Sequence, residues 1–157
     1  METLTPGSTC RHARIRLTTD HSTEFVDLTE RLESLVADAG LRFGLVNVQT
    51  LHTTTAVVVN EHEPLLLDDF RAVLQAAAPA GRQYRHDDPA VRTVNLTDTE
   101  RVNGHAHCQA LLLPSTACLN VLNGRLQLGQ WQRVFLVELD GPRERSVSVL
   151  MLGETGL

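Results

Sequence analysis

Apolar and polar residues alternate from Arg11 to Thr19, with Ala13, Ile15 and Leu17 on one side, which predicts a β-strand. The stretch ahead of it is polar and carries Pro6 and Gly7, so residues 1–10 read as a flexible tail and residues 11–157 as a single domain. Asp20 to Thr23 offer helix-capping side chains, and Phe25, Leu28, Leu32, Leu35 and Val36 then recur at helical spacing until Gly40, a helix stop. Two strand segments follow, Leu45 to Leu51 and Ala56 to Val59, around a polar His52-Thr53-Thr54-Thr55 step. Pro64 stands where a second helix begins; Leu65, Leu66, Phe70, Val73, Leu74 and Ala77 form its apolar face, and Pro79 and Gly81 end it.

Residues 82–104 are polar and rich in Asp, Arg and Pro, and a loop of that length inside a compact domain is more often functional or mobile than idle. Beyond it the pattern reads as almost pure β: Ala106 to Leu113, Cys118 to Leu122, Arg125 to Leu128, Trp131 to Leu139 and Ser146 to Leu152. Asn123-Gly124 is a hairpin signal, because both residues tolerate positive φ. This order predicts an α+β fold: one domain with a mixed, largely antiparallel sheet and two main helices.

Composition narrows the function. A chain of 157 residues, 42% of them hydrophobic, buries one real core. Fourteen basic residues against 19 acidic give a net charge of −5, which argues against an electrostatic nucleic-acid binder and leaves room only for a small basic pocket. Cys10, Cys108 and Cys118 form no CxxC pair, and their odd number fits a reducing compartment. No secretory pattern opens the chain and no apolar run nears the roughly 20 residues of a membrane helix, so the expectation is a cytoplasmic protein with neither nucleic acid nor membrane as partner. The sequence has no GxSxG, Walker A or GxGxxG motif, and no zincin, zinc-ribbon or deaminase pattern.

Three polar clusters stand out. Seven histidines are many for this length; His52 ends a strand, His86 lies in the long loop, and His105 and His107 are alternate residues that share one side if the segment is extended. Neutral imidazole is the commonest metal ligand, but an HxH pair on a strand edge also serves as plain surface polarity. Asn60-Glu61-His62-Glu63 before Pro64, with Asp68 and Asp69 beyond, offers carboxylates for orienting a histidine or for base catalysis; the same residues suit a helix N-terminus with no catalysis at all. Glu138 to Arg145 places Arg143 and Arg145 about a tight turn, where Arg143 either clamps an anion or pairs with Glu138 or Asp140. Trp131 either stacks on a ligand ring or fills the core.

In combination these segments are more specific. LHTTTAVVVNEHEPLLLDDF, YRHDD, NGHAHCQALL and NGRLQLGQWQRVFLVELDGPRER, in that order from about Gly44 to Leu152, resemble the YjbQ-like family, whose members are labelled secondary thiamine-phosphate synthases. The resemblance implies a small α+β subunit that forms a homotrimer, with a polar site holding a metal or an anion. Onto matching positions it carries His52 and Thr54 of the HTTT step, Asn60 and Glu61, Asp69, His86, Asn103 and His107, Trp131, and Glu138, Asp140 and Arg143. One departure is Pro114, where the family has Gly; the neighbouring Ser position holds Thr116. Proline lacks the N–H that a bound anion would use there.

The function the resemblance implies is transfer of the thiamine-phosphate synthase type, joining a pyrimidine diphosphate to a thiazole phosphate. In that reading His52, His86 and His107 hold a divalent, zinc-like metal and Glu61, Asp69 and His107 do acid–base work. Thr54, Asn60, Asn103, Thr116, Trp131 and Arg143 bind a small, phosphorylated substrate. Two rivals stand beside it: a metal-dependent hydrolase or lyase of a small phosphorylated or carbonyl compound, and a trimeric module that binds a ligand without catalysis.

Overall fold

The structure is a computed structural model and describes residues 7–99 and 101–155. Eight strands form two antiparallel sheets. β1 (Gly7–Thr18), β8 (Glu144–Thr155), β3 (Leu41–Thr50), β5 (Thr116–Leu122) and β6 (Arg125–Leu126) make one, in the order β1-β8-β3-β5-β6. β2 (Glu24–Asp27), β7 (Gln132–Glu138) and β4 (Thr55–Glu61) make the other, in the order β2-β7-β4. Among the described residues there are also three α-helices, α1 (Thr29–Asp38), α2 (Pro64–Ala77) and α3 (Gly104–Leu111), and one 3₁₀ turn at Arg85–Asp87. None of the helices among the described residues is long and apolar enough to cross a membrane.

The alternation read from the sequence sets the layers. Ile15, Val46, Val48, Val121, Val147, Val149 and Met151 turn inward from the large sheet and meet Leu28, Leu32 and Val36 of the α1 segment with Val57, Val134 and Leu136 of the small one. The other face of the small sheet, with Ala56, Phe135 and Val137, packs on Leu67 and Leu74 of α2 and Ala106 of α3. Strand β7 is therefore buried on both faces, which is why Val134 to Val137 is an unbroken apolar run rather than an alternating one. Asn123 and Gly124 turn the β5–β6 hairpin at φ 52° and 80°.

The structure departs from the sequence-based expectation in several places. β1 begins at Gly7, so residues 7–10 of the expected tail are paired with β8; residues 1–6 of that tail lie outside the described residues. Phe25 belongs to β2, whose residues pair with Phe135 to Glu138 of β7, and α1 starts only at Thr29. Its cap is not in Asp20 to Thr23: Asp27 Oδ1 accepts the Thr29 N–H at 2.9 Å, while Asp20 and His21 donate their amides to Glu24. Ala106 to Leu113, expected as a strand, is mostly helix α3. The helix is held from outside itself. Asp87 Oδ1 accepts the Asn103 and Gly104 amides at 3.0 and 2.8 Å, and the Gln109 side chain donates to the Leu74 and Ala78 carbonyls at the end of α2.

Candidate functional site

The turn between β3 and β4 and the turn between β7 and β8 lie side by side, and a buried ion pair joins them. Glu138, the last residue of β7, is fully buried and receives Arg145 Nε at 2.5 Å and Nη2 at 2.6 Å. It also accepts the Asp140 and Gly141 amides, each at 2.8 Å, and the Thr19 hydroxyl at 3.1 Å. Burial pushes the Glu138 carboxyl up, but the Arg145 hydrogen bonds and the two amides outweigh it and hold the group below the ordinary carboxylate range. Arg145 passes one further hydrogen bond to Thr54 Oγ1 at 3.0 Å. The His52–Thr55 step is tied by a very short Thr50–Thr55 hydroxyl contact and by the Ser146 amide, which donates to His52 Nε2 at 2.8 Å. Burial, and next the Arg145 charge, hold His52 below the ordinary imidazole range.

These turns form one wall of a cavity of about 730 Å³. The N-terminal part of α3 supplies a second wall, with Asn103 and His107. Asn103 Nδ2 donates to Asp140 Oδ2 at 3.1 Å, which also takes Arg143 Nη2 at 3.0 Å, while the buried Asn103 Oδ1 has no hydrogen-bond partner among the described residues. The His107 ring lies 4.5 Å from that of His86, centroid to centroid, and the buried Nε2 of His86 has no hydrogen-bond partner among the described residues. Burial, and next the His86 ring, hold His107 below the ordinary imidazole range. The long loop closes the cavity with Arg92, Asn95, Thr97, Thr99 and Arg101. Arg92 braces this loop through the His86 and Asn95 carbonyls at 3.3 and 2.7 Å.

A match to the family described as UPF0047 protein YjbQ-like spans residues 13–154. The chain belongs to the YjbQ-like family. A UPF0047 protein of Archaeoglobus fulgidus is 39% identical over 138 residues, 88% of this chain and 98% of its own. A UPF0047 protein of Methanothermobacter thermautotrophicus is 34% identical over 138 residues, 88% of this chain and 89% of its own. Among solved structures, a YbjQ-like protein of unknown function from Sulfolobus solfataricus superposes with a TM-score of 0.82 at 35% identity, covering 94% of this chain and 100% of that one. A hypothetical protein from Aeropyrum pernix superposes with a TM-score of 0.80 at 36% identity, covering 92% and 99%.

The YjbQ-like motif positions separate into two groups in this chain. His52, Thr54, His86, Asn103, His107 and Arg143 line the one cavity, with Glu138 and Asp140 directly behind it. Asn60 and Glu61 stand at the far end of β4, roughly 20 Å of strand from Thr55. Asp69 is exposed on α2, and Trp131 is 64% exposed ahead of β7, so it neither fills the core nor reaches the cavity. Thr116 is spent on Asn47 Oδ1 and the Val48 carbonyl at 2.8 and 3.0 Å. His105 does not share a side with His107: two residues apart on a helix point about 200° apart, and His105 lies outside the cavity.

The expected three-imidazole metal centre does not fit these residues. Among the described residues no three His, Cys, Asp or Glu side chains are grouped to hold a metal ion. His52 Nε2, moreover, already accepts an amide hydrogen. The cavity residues Arg92, Asn95, Thr97, Thr99 and Arg101 belong to no motif, and their one sequence signal is the length and polarity of 82–104. Arg145, by sequence a flanking charge of the turn, is the buried partner of Glu138.

Proposed function

We propose that this YjbQ-like protein binds a small phosphorylated compound in the cavity and acts on it. The observation that carries this reading is the lining. It has four arginines (Arg92, Arg101, Arg143 and Arg145), three histidines, and amide and hydroxyl side chains, with no carboxylate among the described residues. Phosphate oxygens are acceptors only, and guanidinium and N–H groups are donors only, so the wall and such a ligand are complementary. The cavity volume of about 730 Å³ suits a ligand of drug or cofactor-fragment size.

Within this reading the reaction is of the thiamine-phosphate synthase type. The thiazole nitrogen attacks the pyrimidine methylene carbon as its bond to the diphosphate oxygen breaks, and the diphosphate leaves toward the arginines, which offset its charge. His107, neutral near pH 7, is the group placed to take or hold a proton on the ligand. Glu61 and Asp69 have no part in it, because they stand outside the cavity.

Calorimetry with pyrophosphate and with thiamine phosphate tests the binding, and chromatographic detection of thiamine phosphate from the two half-substrates tests the reaction. Binding of both ligands, weakened about tenfold in Arg143→Ala, is expected. No binding of either at millimolar concentration would overturn the reading; binding without product would leave a ligand-binding module.

A further inference from the structure

The acceptor nitrogen of His52 and one of the two hydroxyl lone pairs of Thr54 are used from behind the cavity wall. The Ser146 amide points at His52 Nε2 from 2.8 Å. A backbone amide only donates, so Nε2 keeps its lone pair and the ring proton sits on Nδ1. Among the described residues Nδ1 has no partner, and it is not sealed from water.

Thr54 is treated in the same way. Arg145 Nη2 donates to its Oγ1 at 3.0 Å, and Arg145 cannot turn away because Glu138 grips it through both Nε and Nη2. Arginine never accepts, so the hydroxyl hydrogen of Thr54 must go elsewhere, and no acceptor for it stands among the described residues. A free histidine or threonine offers either a donor or an acceptor to a ligand. Here the backing groups leave His52 only a donor to offer, and they take one of the two lone pairs of Thr54 while leaving its O–H free to give.

We infer that His52 and Thr54 form a donor wall, Nδ1–H beside Oγ–H, that recognises phosphoryl or other oxyanion oxygens, with His52 acting as a neutral hydrogen-bond donor. Glu138 and Arg145 are its positioning residues, acting through Thr54. The inference deepens the proposed function and takes the ligand class from it; the tautomer of His52 stands apart from that reading and is measurable with no ligand present. The wall also gives a selectivity at His52: a ligand amine or hydroxyl hydrogen aimed at Nδ1 meets a donor and is disfavoured, because a buried donor left without an acceptor is costly.

Long-range proton–nitrogen correlation spectra of the full, nitrogen-labelled chain test it. The His52 ring is assigned from the signal lost in His52→Asn. The expected result at pH 7.5 is Nδ1 protonated and Nε2 bare, with pyrophosphate shifting Nδ1. The His52→Gln amide reaches the ε position only and weakens pyrophosphate binding roughly tenfold or more, as does Thr54→Val; His52→Asn, whose amide overlies Nδ1, and Thr54→Ser restore most of it. Amide dispersion of each variant shows that it is folded.

A His52 ring protonated on Nε2 overturns the inference whatever pyrophosphate does. So does pyrophosphate that shifts His107 but not His52, an outcome that leaves the proposed function standing. The expected tautomer with no response of any cavity residue to pyrophosphate overturns the proposed function and, with it, the recognition role of the wall.

Discussion

Glu138→Gln is the most informative single perturbation of this fold. The carboxylate is fully buried and accepts five hydrogen bonds: two from Arg145, two from the amides of Asp140 and Gly141, and one from Thr19. Glutamine keeps the shape and one acceptor oxygen, so the Asp140 and Gly141 amides remain served. It replaces the other oxygen by an NH₂ that faces a guanidinium. Arg145 is then a buried charge with no counter-charge, which costs about 3–5 kcal/mol. At about 2–4 °C per kcal/mol for a domain of this size, the melting temperature falls by roughly 6–20 °C. Arg145→Met costs a similar amount by stranding the carboxylate. The double variant Glu138→Gln with Arg145→Met removes both charges while keeping the acceptor for the two amides, and neutral, well-packed replacements of buried pairs are often harmless. It is therefore expected to be at least about 2 kcal/mol more stable than the sum of the single losses predicts. Urea unfolding followed by circular dichroism measures all three. Single losses under about 1 kcal/mol, or strict additivity, would refute the argument that this pair is a coupled, charge-balanced unit.

The remaining expectations are simpler. Arg143→Ala should weaken pyrophosphate binding about tenfold, read by calorimetry, because it removes one charge-assisted donor from the lining. Gly44→Ala should cost at least about 2 kcal/mol in urea unfolding, since a Cβ there would sit 2.0 Å from the Leu152 carbonyl oxygen across the β3–β8 pair. Asp27 is held at about 2 against an ordinary 3.8: burial works to raise it, but Thr29, its amide and Arg133 outweigh burial. The stability it supplies is complete above pH 3.8 and is lost as the pH falls toward 2, an effect of up to roughly 2 kcal/mol that Asp27→Asn should abolish in urea titrations at pH 5 and pH 2.5.

How much could be read from residues alone depended on how local the deciding contact was. α2 was legible end to end because its signals lie within it: Glu63 accepts the Leu65 and Leu66 amides, Pro64 opens the first turn, and the apolar positions repeat at helical spacing. The β5–β6 hairpin was legible for the same reason. α3 was not. Its apolar run is short enough to be strand or helix, and what decides it is Asp87, 17 residues from Gly104, and the Gln109 bonds to Leu74 and Ala78, 35 and 31 residues away. Phe25 was misplaced likewise: its spacing is helical, but pairing with Val137 and ring contacts with Phe70 and Phe135 put it in a strand. The motif resemblance named His52, Thr54, His86, Asn103, His107 and Arg143, which line one cavity, and also Asn60 and Glu61, which stand at the far end of the β4–β7 pair, with Trp131 just ahead of β7.

A net charge of −5 and a cavity lined by arginine and histidine are reconciled by depth rather than by composition. Glu138 stands behind Arg145 and Thr54, Asp140 behind Arg143 and Asn103, and Asp87 beneath the first amides of α3, while none of the three lines the cavity. Each carboxylate consumes donors on the buried side of the wall and so fixes the direction of those that remain. The acid at the α3 N-terminus has a further effect: Asp87 Oδ1 already occupies the amides of Asn103 and Gly104, so those two donors are not available to a ligand anion. Gly104 enforces this closure, because a Cβ there would lie 2.6 Å from Tyr84 Cβ and 3.0 Å from Asp87 Oδ2. The cavity is thus a cation-lined surface laid over a carboxylate layer, and its specificity follows from which donors that layer leaves free.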